Sequence, residues 1–321
     1  MDHLLYYTAR LLLGVLQSFP VTWVARLGRA GGGLAYRLDA RHRRVVIRNL
    51  EMCFGGEKTA EEIRALAHEN FRRIGENFAC AVKTSSMSRD QIRDYLEVTG
   101  AEKALPKGES EAPTSRVVAI GHFGNFELFA HAVREIPGYR GATTYRALKG
   151  MALNRLLLEL REQTGCLYFE RRTEGAALRA ALHNGNVILG LLADQHSGDH
   201  GLRLPFLGHE CTTSKAPAVF ALRFHLPLHT AICFRTRLGH WRVEVGDEIP
   251  THEGGQPRPP RDIMLDVNRA FEEAVRRDPA NWFWVHKRWK PAKAKVTAQK
   301  PKAEADELEL EESHDGGPDR M

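Results

Sequence analysis

Apolar positions along the chain follow two periods, and the change from one to the other divides it. Between Arg10 and Arg26 lie fifteen uncharged residues, mostly apolar and interrupted by Pro20. That run is short of the roughly 20 residues needed to cross a bilayer. It is also no signal peptide: Asp2 and His3 stand where a basic leader would begin, and no small-x-small cleavage site follows. Residues 40–94 keep the helical period. Thr59-Ala-Glu-Glu62 and Ser88-Arg-Asp-Gln91 are capping boxes, and Ile63, Leu66, Ala67, Phe71, Ile74 and Phe78 mark one apolar face.

Lys107 to Ser115 is a polar loop, and beyond it the pattern alternates. Val117–Ile120, Ala142–Tyr145, Val187–Ala193 and Leu228–Phe234 are short, nearly continuous apolar runs that predict buried strands. Trp241–Val245 predicts an edge strand, and Leu202–Leu207 an extended segment. Helical patterns at Leu153–Leu160, Thr173–His183, Ser214–His225 and Arg261–Arg277 lie between or after them. The expectation is an α/β fold, with a central, largely parallel (mixed) sheet covered by helices on both faces. Four spans follow: apolar and basic membrane-interface helices at 1–38, a helical segment at 39–94, an α/β domain at 95–290, and a disordered tail at 291–321. The tail has almost no large apolar residues to bury.

The densest chemistry sits at the first buried strand. Gly121 and Gly124 bracket His122 in a tight turn, Asn125 is placed as a helix N-cap, and Glu127 would open the helix carrying Phe126, Phe129, Ala130 and Val133. The bare His-x4-Glu/Asp pattern carries no weight. With 15 histidines and 40 acidic residues in 321 positions, chance supplies roughly two such pairs. The second is His314/Asp319 in the tail. Only His122/Glu127 has a strand, a glycine turn and a helix around it. Arg146 and Asp194 close two further strands, so His122, Arg146, Asp194 and Gln195 are expected along the carboxyl rim of the sheet, where open α/β sheets bind ligands.

Charge adds a partner class and removes others. The net charge is +6, and the first fifty residues carry eight arginines against two aspartates. An arginine-fringed apolar segment suits an anionic membrane surface. Five scattered cysteines without CxxC spacing fit a reducing compartment. No Gly-x-Ser-x-Gly elbow and no Gly-x4-Gly-Lys-Ser/Thr loop occurs, which removes the serine-hydrolase and nucleotide-loop classes. Asp194, His196 and His200, with His209 nearby, are metal-binding residue types at a spacing that matches no common ligand pattern; a metal-dependent hydrolase is the rival reading they offer. Trp282-Phe-Trp-Val-His-Lys-Arg-Trp-Lys290 suits single strands, a membrane interface, or a core closure whose cations reach outward. A non-catalytic, basic, membrane- or nucleic-acid-binding protein is the second rival.

Taken together, several blocks resemble the bacterial lipid A biosynthesis (lauroyl and myristoyl) acyltransferases, within the wider glycerolipid acyltransferase superfamily. They are Arg48-Asn-Leu-x-x-Cys-Phe54, Gly121-His-Phe-Gly-Asn-Phe-Glu127, Tyr145-Arg146, Asp194-Gln195, Phe206-Leu-Gly208 and Trp282 to Lys290, in order over residues 1–290. Leu148-Lys149-Gly150 departs from the Asn-Pro common after Tyr-Arg in that family. The resemblance implies transfer of a fatty acyl group from acyl-carrier protein or acyl-CoA to a hydroxyl of a lipid A precursor, a phosphorylated glycolipid, at the cytoplasmic face of the bacterial inner membrane. The protein would be held there peripherally or by a single N-terminal anchor. His122 would be the general base and Glu127 its orienting carboxylate, with attack direct and no acyl-enzyme. Asn125, Arg146, Asp194 and Gln195 would bind substrate, the oxyanion falling to Arg146 or to the Gly124–Asn125 main chain. The same reading expects no metal, no organic cofactor and no nucleic acid. An acylase acting on another phospholipid or glycolipid is the alternative within it.

Overall fold

The computed structural model describes residues 2–105, 114–147 and 150–290. Most of the loop expected at 107–115 and the whole tail at 291–321 lie outside them. Five helices come first: α1 (Asp2–Ser18), α2 (Val21–Leu38), α3 (Ala40–Phe54), α4 (Ala60–Ser85) and the short α5 (Arg89–Ile92). Both capping boxes form, at Thr59/Glu62 and Ser88/Gln91. The α/β part follows as β1 (Leu96–Thr99), β2 (Arg116–Ile120), α6 (Phe129–Val133), β3 (Arg140–Tyr145), α7 (Met151–Glu162), β4 (Leu167–Glu170), α8 (Gly175–His183) and β5 (Val187–Leu192). After a hairpin of β6 (Leu202–Phe206) and β7 (His209–Thr213) come α9 (Ala216–Arg223), β8 (Leu228–Arg237), β9 (His240–Val245) and α10 (Pro260–Arg277). β1, β4 and β7 are strands that the hydrophobic pattern does not announce.

Seven strands make one mixed sheet in the order β1-β9-β8-β2-β5-β3-β4. Every neighbouring pair is parallel except β8 with β9. Period-two alternation sends the side chains of β2 to two cores. Val117 and Ala119 join Leu178, Ala218, Val267 and Phe271 from α8, α9 and α10. Val118 and Ile120 join Phe129 and Val133 from α6 and Val21, Val24 and Ala25 from α2. The expected two-sided cover is therefore present, and α2 belongs to it. α1 touches the body at two places, through Tyr6, Ala9 and Leu13 against Ala152 and Leu156 of α7, and at its end through Gln17, which donates to the Val82 carbonyl of α4. The Tyr6 hydroxyl and Arg10 both donate to Glu159.

Of Gly31-Gly-Gly33, Gly32 is the one that packs closely. A Cβ on Gly32 would come within 2.1 Å of the Phe71 carbonyl oxygen, and one on Gly28 within 2.5 Å of the Gly75 carbonyl oxygen. α2 and α4 thus cross backbone to backbone, as small residues allow. Beside the crossing, fully buried Glu76 accepts from Arg29 (3.1 Å), Arg235 (2.9 Å) and the Gly239 N–H (2.8 Å), tying α2 and α4 to the end of β8.

Among the described residues no helix is long and apolar enough to cross a membrane. The outward faces of the first two helices are nevertheless apolar. Tyr7, Leu11, Leu12, Val15 and Phe19 are exposed on α1 and its end, and Trp23, Leu27, Leu34 and Leu38 on α2, Leu38 to 74%. Their spacings of three, four and seven residues place them in one stripe per helix.

Candidate active site

β2 ends in the middle of the sheet, and Gly121 follows with no side chain because two neighbours need its space. A Cβ there would lie 2.6 Å from the Phe123 ring and 3.3 Å from the Asp194 carboxyl carbon. Gly124 takes the left-handed backbone conformation, φ +51°, and donates its N–H to the Asn281 carbonyl at 2.9 Å. Between the two glycines stands His122, its side chain 15% exposed.

The carboxylate on the imidazole is Asp194, not Glu127. Asp194 follows β5, the strand next to β2, and its Oδ1 lies 2.8 Å from His122 Nδ1. Its Oδ2 accepts the His122 main-chain N–H at 2.7 Å and the Trp282 indole N–H at 2.8 Å. Burial by itself would push this carboxyl up. The charge of His122 and the three hydrogen bonds outweigh it and hold Asp194 down at about 2. With Nδ1 bound to the Asp194 carboxylate, Nε2 is the ring nitrogen left to meet a substrate. Phe126 at 4.7 Å, edge-on, and Phe283 at 5.8 Å flank the ring.

Glu127 sits on the same turn but bonds elsewhere. Arg161 of α7 grips it with two nitrogens, at 2.6 and 3.3 Å. Arg161 also lies over the Tyr168 ring. Burial works against its charge, and the pairing with Glu127 more than restores it. The predicted capped helix is modified here. Phe126–Leu128 form a 3₁₀ turn closed by Leu128 N–H on the Asn125 carbonyl, and only Phe129–Val133 is α-helical. Asn125 caps nothing with its side chain, whose amide nitrogen and oxygen are both buried and without a partner. His122, Asn125, Phe126 and Glu127 line one cleft, together with Phe78 of α4, Trp282 and Phe283. A second cleft shares Phe126 and Glu127 and is lined by Thr143, Thr144, Arg161 and Tyr168.

The remaining sequence candidates fall as follows. Arg146 is exposed just beyond β3. Gln195 is half-buried, and its carbonyl accepts from Arg288. The Gly124 and Asn125 N–H groups are not free to receive an oxyanion. The first is bonded to Asn281, and the second is directed at the Cys233 sulfur. The metal alternative also fails on geometry. Asp194 is turned to His122 and Trp282, His196 bonds Thr212 and donates its N–H to His286, His209 reaches the Met52 carbonyl, and His200 is exposed. Among the described residues no three His, Cys, Asp or Glu side chains converge as a metal site.

The closing aromatic segment turns out to be the back wall of the site. Asn70 of α4 donates to the carbonyls of Ala280 and Trp282, and Asn49 of α3 to those of Trp284 and His286. Arg288 is fully buried instead of reaching outward, and it binds the Gln195 and Thr212 carbonyls and the Thr213 hydroxyl. Arg161, Trp282 and Phe283 are the members of the site to which sequence reasoning assigned no role. Arg161 carries no local signal at all, while the Trp282 block was visible as a motif without its target.

The palmitoleoyltransferase of lipid A biosynthesis in Escherichia coli K12 is 23% identical over 298 residues, covering 90% of this chain and 92% of that protein. A lipid A biosynthesis acyltransferase of Shigella flexneri matches to the same extent. The lauroyltransferase of lipid A biosynthesis in E. coli K12 is 30% identical over 132 residues, 40% of this chain and 42% of that protein. The family described as bacterial lipid A biosynthesis acyltransferase matches residues 1–291, and this chain belongs to it as an acyltransferase of lipid A biosynthesis.

Proposed function

We propose that the protein transfers a fatty acyl group from an acyl-carrier-protein or acyl-CoA thioester to a hydroxyl of a phosphorylated lipid A precursor, with His122 as general base. The observation that carries this reading is the His122–Asp194 pair at 2.8 Å beside a cleft that His122 lines. The acceptor hydroxyl gives its proton to Nε2 as its oxygen attacks the thioester carbonyl carbon. The tetrahedral intermediate collapses with loss of the thiolate, which takes the proton back from the imidazolium. General-base help of this kind contributes typically about 10²–10⁴-fold.

Asp194 takes the orienting role that sequence reasoning assigned to Glu127, holding the tautomer and balancing the imidazolium. Glu127, fixed by Arg161, lines the same cleft and meets the acceptor's polar groups. Asn125 supplies the oxyanion donor. A buried amide with neither atom satisfied is costly, and a developing oxyanion in the cleft is a partner that its N–H₂ group can meet during the reaction. All five cysteines are free, four of them buried, and none lines the His122 cleft, which supports direct attack over an acyl-enzyme. The exposed apolar stripes of α1 and α2, with Arg26 and Arg37 beside them, suit a seat in the anionic cytoplasmic leaflet of the inner membrane, where the acceptor resides.

The test is lipid mass spectrometry of cells with and without the protein, beside a His122→Ala chain. An added acyl mass on a lipid A species, lost in the variant, is the expected result. An unchanged lipid profile, or full activity of purified His122→Ala, would overturn the mechanism.

A further inference from the structure

The carboxyl ends of β2, β5, β3 and β4 emerge side by side on one rim, since these strands are neighbours and parallel. His122 leaves β2 and Asp194 leaves β5. Arg146 leaves β3, and Arg171 and Arg172 leave β4, all three exposed. At about 4.8 Å per strand, the ends of β3 and β4 lie about 10 and 14 Å along the rim from that of β2.

Neighbouring acids do not neutralise these arginines. The Glu170 carboxylate accepts the main-chain N–H groups of Arg172 (2.6 Å) and Thr173 (3.0 Å), the Thr173 hydroxyl, and the N–H of Ala147. Glu174 accepts the N–H of Glu170. These carboxylates therefore bind backbone and tie the loop after β3 to the loop after β4, which keeps the three arginine positions on adjoining loops. Among the described residues none of the three pairs with a carboxylate, whereas Arg155 and Arg161 of nearby α7 both do. Arg171 Nε donates to the Thr144 hydroxyl at 3.3 Å, and Thr144 lines the second cleft together with Phe126 and Glu127.

We propose that Arg146, Arg171 and Arg172 bind a phosphate group of one of the two substrates, setting its distance from His122. This rests on the acyl-transfer reading above. Three unpaired guanidinium forks suit the several oxygens and double charge of a phosphate. Both substrates of such a reaction carry one: the acceptor on its sugar headgroup, the donor on its pantetheine arm.

The experiment uses the purified full-length chain and its Arg146→Gln/Arg171→Gln/Arg172→Gln variant. Each is assayed with a phosphorylated glycolipid acceptor and its phosphatase-treated form, and with acyl-CoA and the phosphate-free acyl-pantetheine as donors. The variant is expected to raise KM by about tenfold or more, the size of one charge-assisted hydrogen bond, with kcat within about twofold. The Arg→Lys triple variant is expected to recover part of the loss. If the difference disappears with the phosphatase-treated acceptor, the phosphate is the acceptor's; if it disappears with acyl-pantetheine, it is the donor's. A wild-type KM in the variant, or a loss that persists when both substrates lack phosphate, overturns the proposal while leaving acyl transfer intact. Absence of His122-dependent transfer in every arm would overturn the acyl-transfer reading, and this inference with it.

Discussion

His122 and Asp194 are 72 residues apart in the chain and 2.8 Å apart in space, and that separation decides what could be read in advance. The sequence shows a histidine in a glycine turn and an aspartate closing another buried strand. That β5 lies next to β2 is a fact of sheet order, which no local pattern encodes. Glu127 was the nearer carboxylate along the chain, but a 3₁₀ turn and the two-pronged grip of Arg161 fix it away from Nδ1. Asp194→Asn tests the assignment. It keeps the shape, removes the acceptor for Nδ1–H, and is expected to lower kcat by about 10³–10⁴-fold with thermal stability little changed. Glu127→Gln, measured alongside, is expected to raise the acceptor KM more than it lowers kcat.

His131 of α6, 2% exposed, belongs to the same scale and bears on acid stability. Burial, with Arg134 adding to it, pushes its pKa down to about 4. Between the ordinary value near 6.5 and about 4, the unfolded chain takes up a proton that the folded one refuses. Stability therefore falls as pH drops through that window, by up to on the order of 3 kcal/mol for this group. Denaturant titrations from pH 7 to 4 are expected to show the slope, and His131→Gln to flatten it.

Among the elements, the crossing of α2 on α4 rests on Gly28, Gly32 and Gly75, whose backbones meet with no room for a side chain. Gly32→Leu drives a side chain into the Phe71 carbonyl and is expected to cost about 3 kcal/mol in chemical denaturation. Glu76→Ala leaves Arg235 partly buried without its carboxylate, while Arg29 keeps Glu69, and is expected to cost about 3 kcal/mol by the same measurement. The strands missing from the sequence reading are short and partly exposed: β1 and β4 are four residues each and lie at the two edges of the sheet. Strands covered on both faces, such as β2 and β5, gave the continuous apolar runs that made them visible.

At the scale of the whole molecule, an apolar exterior sits on one helical layer. α2 packs its inner face into the core through Val21, Val24 and Ala25 while Trp23, Leu27, Leu34 and Leu38 face out, so the same helix serves the sheet and the outside. Leu11→Ser/Leu27→Ser/Leu34→Ser is expected to release the protein from vesicles containing anionic phospholipid, read by co-sedimentation, with little change in Tm. Unchanged sedimentation would remove the stripes as the membrane contact. Arginine excess and an apolar run too short to span a bilayer made this surface readable in the sequence, because exposure of large apolar side chains contradicts their usual burial.

The back wall made by residues 279–290 has a consequence for how the protein comes to life on the ribosome. Every strand of the sheet precedes it in the chain, so the sheet can pair and bring His122 beside Asp194 while this stretch is still being made. The indole that holds the Asp194 carboxylate and the ring that covers His122 arrive last, at Trp282 and Phe283. The side chains of the site are therefore complete only once residues 282 and 283 have been made. A chain stopped after Pro279 is expected to show the circular dichroism of an α/β protein and no acyl transfer.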